Sequence, residues 1–186
     1  MEKKQKYIIA VFIGMLVITL LLWSNERAER EQLAERYEHD AKTDYQGKFI
    51  NLVSHFSMLV DVTEAYEENG SDNEELFKIA LNNQSRSLDI AISNLRSAAY
   101  RMENETPLSE IIQQYYLDSF LRDLKSRLDY KGNINKAGQI LESYSEELSE
   151  LVWQDHEDFM ENESQLRIKE ILEDMRSEFQ TSPLGD

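Results

Sequence analysis

The stretch Tyr45-Gln-Gly-Lys-Phe49-Ile-Asn-Leu52-Val-Ser-His-Phe56-Ser-Met-Leu59-Val-Asp-Val-Thr63 sets large apolar side chains three or four residues apart. A strand repeats every second residue, so this spacing instead draws one apolar stripe along one helix. The stripe reaches back through Ala41, Tyr37 and Leu33 and forward to Tyr66. Asn69-Gly70 then supplies a left-handed stop, and Ser71 with Glu74 reads as a capping box that opens a second helix.

The same grammar continues downstream. Phe77, Leu81, Leu88, Ile92, Leu95, Ala99 and Met102 share one face of the second helix, which ends in Glu103-Asn104-Glu105. Thr106-Pro107 restarts the chain, because a threonine cap can precede a proline whose missing N–H would go unpaired in the first turn anyway. Ile111, Tyr115, Leu117, Leu121, Leu124 and Leu128 mark a third helix, closed by Lys131-Gly132-Asn133. A fourth carries Ile134, Ala137, Leu141, Tyr144, Leu148, Leu151, Val152 and Phe159, after which Leu166, Ile168, Leu172, Met175 and Phe179 run in a different phase. That slip predicts a bend or break near Asn162-Glu163-Ser164. The expected helices span about 25–69, 72–102, 107–131 and 133–180, with a flexible tail over 181–186, and they form an all-α, antiparallel four-helix bundle.

Upstream of the first stripe lies an uncharged run from Tyr7 to Trp23, preceded by Lys3, Lys4 and Lys6. At about 1.5 Å per residue the run approaches the thickness of a hydrocarbon core, and Tyr7 and Trp23 stand where amphipathic rings favour the two interfaces. Residues 7–24 are therefore expected to be a transmembrane anchor continuous with the first helix, with residues 1–6 as its cytoplasmic basic flank. Leu21-Leu22-Trp23-Ser24-Asn25-Glu26 shows no small-residue cleavage pattern, so the anchor is expected to stay attached. The lysine asymmetry puts the N-terminus inside and the domain over 25–180 on the outer side of the cytoplasmic membrane.

That domain is acidic. The chain has 20 Lys and Arg against 36 Asp and Glu; after Ser24 the count is 17 against 35, a balance of −18. Such a surface repels phosphate backbones and anionic headgroups, which argues against nucleic acid and favours a neutral or basic protein partner. The absence of cysteine excludes a lipoprotein site, a thiol nucleophile and disulfides.

Signals for catalysis or cofactors are lacking. His39 and His55 fall on different faces of one helix and His156 belongs to another, with no Glu-x-x-His or His-Glu-x-x-His pattern to bind a metal. Carboxylate pairs such as Glu146-Glu147 are unavoidable at this glutamate content and carry no information. No cofactor, metal or catalytic residue is assigned. The candidate contact is Trp153, set in the polar cluster Trp153-Gln154-Asp155-His156-Glu157, because interfaces favour tryptophan. Trp153, Asp155 and Glu157 are its expected partner-binding residues; the bland alternative is a half-buried ring beside a solvated turn.

Three features together resemble a known family: the short anchor after a basic start, Asp44-Tyr45-Gln46 with Phe49, and Trp153-x-Asp155-x-Glu157. They are similar to the N-terminal helical region of the YpeB family of membrane-anchored spore germination proteins, over residues 1 to about 180. In that family the anchor and helices precede repeated PepSY-type modules, and the protein accompanies a spore cortex-lytic enzyme. The resemblance implies a non-catalytic role in holding or stabilising such an enzyme, at the inner spore membrane. A second reading, an extracytoplasmic sensory bundle acting through a membrane partner, would ordinarily use a second spanning helix, and the last third of the sequence has no long uncharged run.

Overall fold

The computed structural model describes the backbone of residues 2–69, 74–102, 106–113, 122 and 134–181, with side chains from 13 to 66 in the first segment and from 136 in the last. Every element among these residues is helical: α1 (Glu2–Asn69), α2 (Glu74–Arg101), α3 (Pro107–Gln113), α4 (Ile134–Val152), α5 (His156–Met160) and α6 (Asn162–Thr181). The all-α expectation holds. Two compact units divide the chain, Met1–Asp40 and Ala41–Asp186.

In the first unit, the apolar side chains from Ile13 to Trp23 are exposed, and the Thr19 hydroxyl donates back to the Met15 carbonyl at 2.8 Å. After Trp23 the helix surface turns polar and is laced by pairs four residues apart. Asn25 donates to Glu29 at 2.9 Å, Arg27 pairs with Glu31 at 2.9 Å and Arg30 with Glu26 at 2.6 Å. Each such exposed pair adds about 0.2–0.5 kcal/mol to helix stability. Arg27 also lies over the Trp23 ring, 6.0 Å from its centroid. Leu33 and Tyr37, placed on the core stripe by their spacing, are 51% and 73% exposed. Periodicity assigned them a face, but within this unit nothing covers that face, and the core begins later. Among the described residues no helix is long and apolar enough to cross a membrane; the side chains of Lys3, Lys4, Lys6 and Tyr7, on which the anchor reading also rests, lie outside the described set.

The second unit holds the core. Tyr45, Phe49, Leu52, Phe56 and Leu59 of α1 are buried against Leu88, Ile92, Leu95 and Ala99 of α2, Leu141 and Leu148 of α4, and Ile168, Leu172, Met175 and Phe179 of α6. Each buried leucine, isoleucine, phenylalanine or methionine among them contributes about 1.5–3 kcal/mol by leaving water. Cross-helix contacts fix the directions. Asp44 pairs with Arg101, Gln84 Nε2 donates to the His55 carbonyl at 3.2 Å, and Tyr66 stacks on Phe77, so α2 runs antiparallel to α1. Gln46 meets Val152 and Thr63 meets Gly138, so α4 is also antiparallel to α1. Arg167 bonds Glu147 at 2.6 Å and Tyr144 bonds Glu178 at 3.1 Å, so α6 turns back along α4.

The Thr106-Pro107 start is realised at α3. The Ser109 N–H donates to Thr106 Oγ1 at 3.0 Å and the Thr106 N–H donates to Ser109 Oγ at 3.3 Å, a reciprocal cap with serine in the acceptor role. Leu108 and Ile112 are buried beneath it, while Ile111 is only half-buried. Gln113 Nε2 donates to the Ala99 carbonyl at 2.7 Å, tying α3 to the last turn of α2. The continuation of the third helix to 131, with its Tyr115 to Leu128 stripe, and the Gly70, Ser71 and 182–186 readings fall outside the described residues.

The fourth helix departs most from expectation. The interruption expected near 162 falls at Glu161, but the chain also leaves the helix at 153–155, so that α4, α5 and α6 stand where one interrupted helix over 133–180 was expected. Asp155 (φ −56°, ψ 151°) and Glu161 (φ −61°, ψ 142°) both have extended backbone. A continuous helix would carry Phe159 past the end of the bundle. Broken, it lays Phe159 in full burial at 5.9 Å from the Tyr45 ring and 6.2 Å from Phe49, and folds α6 back onto α4. The phase slip in the sequence is the trace of this reversal. It also misplaces Leu166, which is 39% exposed, whereas the buried face of α6 is Gln165, Ile168, Ile171, Leu172, Met175 and Phe179.

Candidate functional site

The turn that presents Trp153 is built by a glutamine from another helix. The last carbonyls of any helix lack partners within it. At the end of α4, the Gln46 carboxamide of α1 supplies them: Nε2 donates to the Val152 carbonyl at 3.1 Å and to the Gln154 carbonyl at 3.0 Å. With both amide hydrogens so engaged, Oε1 is left to accept, and it faces His156 Nδ1 at 2.9 Å. His156 therefore carries its hydrogen on Nδ1. One side chain thus closes the C-terminus of α4 and fixes the first residue of α5.

Around this latch the turn alternates. Gln154 and His156 face inward, half-buried, while Trp153, Asp155 and Glu157 are exposed. Trp153 is 66% exposed, and its backbone N–H donates to the Ser149 carbonyl at 3.1 Å, so the ring projects from a fixed backbone. Asp155 occupies the cap position of α5 without a side-chain cap bond; its carbonyl accepts the Phe159 N–H at 2.9 Å. Glu157 lies in the first turn of α5. The three expected contact residues thus share one outward-facing turn.

Beneath the turn is a small polar node in the core. Gln165, fully buried, donates from Nε2 to the Phe159 carbonyl at 2.7 Å and accepts the Tyr45 hydroxyl at 3.5 Å. Burial pushes the Tyr45 hydroxyl pKa up, opposed by a hydrogen bond with Thr106, so the phenol stays neutral throughout the ordinary pH range. The two sequence motifs, Asp44-Tyr45-Gln46 with Phe49 and Trp153-x-Asp155-x-Glu157, meet here. Asp44 pairs with Arg101, Tyr45 and Phe49 hold Phe159, and Gln46 holds the turn.

Sequence spacing missed the part played by Gln165 and His156. Gln165 could have been suspected as a polar residue three positions before Ile168, in phase with Leu172 and Met175. No signal in one sequence pairs Gln46 with residues more than a hundred positions away. Among the described residues, no group of three or more histidine, aspartate or glutamate side chains is placed to hold a metal ion.

No family model, curated protein or solved structure matches the chain.

Proposed function

We propose that this chain is a non-catalytic interaction domain, tethered by residues 7–24 to the cytoplasmic membrane and facing outward, which binds a protein partner through the Trp153 turn. The observation that carries the reading is the pairing of a 66% exposed tryptophan with a backbone latched by Gln46. A rigidly held aromatic side chain loses little freedom on binding, which is why such residues dominate contact energies. Support for the anchor comes from the uncharged run 7–23 behind Lys3, Lys4 and Lys6, and from the exposed apolar side chains of Ile13 to Trp23. The motif resemblance names a spore cortex-lytic enzyme as the partner class and the inner spore membrane as the setting.

Two measurements test this. A reporter active only outside the cytoplasm, fused after Asp186, should be active; an inactive fusion with an active cytoplasmic counterpart removes the outward topology. Co-purification of the full chain from membranes of a spore-forming bacterium should recover a wall-lytic enzyme, and Trp153→Ala should lose most of it. Hydrolysis of peptidoglycan by the purified chain alone would overturn the non-catalytic assignment.

A further inference from the structure

The outer surface beside the Trp153 turn is not flat. An open groove of about 890 Å³ runs where α4, α5 and α6 meet, and Leu151 and Gln154, the residues flanking Trp153 and its neighbour Val152, form part of its wall. Leu166, the apolar residue that the phase slip leaves on the outside of α6, lies in the groove at 39% exposure with half-buried Leu151. The remaining charged lining is Asp158, Glu161, Glu163 and Glu170 against Arg167 alone. That arginine is already engaged, by Glu147 at 2.6 Å and Glu170 at 3.2 Å, and these partners raise its pKa further.

We infer that this groove seats a basic amphipathic segment of the partner protein, its apolar residues on Leu151 and Leu166 and its lysines or arginines toward Asp158, Glu161 and Glu163. The groove has the volume of a ligand site, and leucines between carboxylates are what a helix with basic flanks would match. Charge complementarity decides the sign of the occupant: an acidic segment would meet three or more uncompensated carboxylates, whereas a basic one is steered in and held. Small anions are excluded by the same lining. The inference rests on the reading of the chain as a binding domain and specifies which chemistry the partner brings.

The test uses the full chain in neutral-detergent micelles and a fluorescent synthetic peptide of lysine and leucine at helical spacing, with binding to empty micelles subtracted. Its anisotropy titration should show saturable binding. The double variant Glu161→Gln/Glu163→Gln and the single variant Leu166→Ser, both at exposed positions, should each weaken it by about tenfold. Asp61→Asn/Glu64→Gln, the same charge change at exposed positions of α1, should leave it within about twofold. Equal weakening by the two double variants would mean diffuse attraction and overturn the groove, as would unaltered binding to Leu166→Ser or equal affinity for a glutamate–leucine peptide. Because Trp153→Ala tests partner capture separately, loss of the groove and loss of the binding-domain reading give different results.

Discussion

Gly138 of α4 lies against Thr63 of α1 so closely that a Cβ at position 138 would coincide with the threonine side chain. The glycine there is a packing requirement, since it sits within a helix, where alanine would otherwise be preferred by about 1 kcal/mol. Gly138→Ala should lower stability by about 1–3 kcal/mol, the usual cost of overpacking. Thr63→Gly combined with it should restore part of the contact. Gly47, exposed on α1 with nothing within 4 Å of an added Cβ, should respond with the opposite sign, Gly47→Ala raising the melting temperature. Paired thermal melts of the two alanine variants check this.

Trp153 and Leu148 should separate binding from folding. Leu148→Ala removes a fully buried side chain and should cost about 2–5 kcal/mol. Trp153→Ala should stay within about 1 kcal/mol of the parent in denaturant unfolding while weakening partner capture. Equal destabilisation would return Trp153 to a structural role.

The latch is tested by Gln46→Leu and Gln46→Glu. Leucine leaves two carbonyls of the turn without their donor, at about 1–3 kcal/mol, and glutamate sets a charge against them and should cost more. Both should increase the mobility of Trp153, read as lower fluorescence anisotropy in a chain carrying Trp23→Phe. Unchanged anisotropy would detach the turn from Gln46.

His55 gives a pH dependence of known sign. Partial burial lowers its pKa below 6.5 in the folded chain, so the unfolded chain takes up a proton first as pH falls. Its contribution is complete above about 6.5, declines through that value and levels off below the folded pKa. Chemical unfolding at a series of pH values should show this decline, and His55→Asn should remove it while retaining a hydrogen-bonding partner for Gln84.

These tests follow the boundary between what the sequence shows and what it hides. The core stripes of α1 and α2 were legible because a helix buried along its length repeats one pattern, and Thr106-Pro107 was legible because capping chemistry is local. Leu33 and Tyr37 were misassigned because periodicity names a face without saying what covers it. The reversal at Phe159 was visible only as a lost phase. Its cause, an aromatic pocket made by Tyr45 and Phe49, lies over a hundred residues away in the chain.

The span of that latch bears on the order of assembly. Contacts of α1 with α2, and of α4 with α6, join neighbours in sequence and close short loops, whereas Gln46 reaches Val152 and His156 across separations of 106 and 110 residues. Closing so distant a pair carries the larger entropy cost and should come late in folding. The Trp153 turn would then acquire its shape only when the two helical pairs have docked. A core substitution far from the turn that slows docking should delay partner binding in step with it, so that recognition itself reports a finished fold.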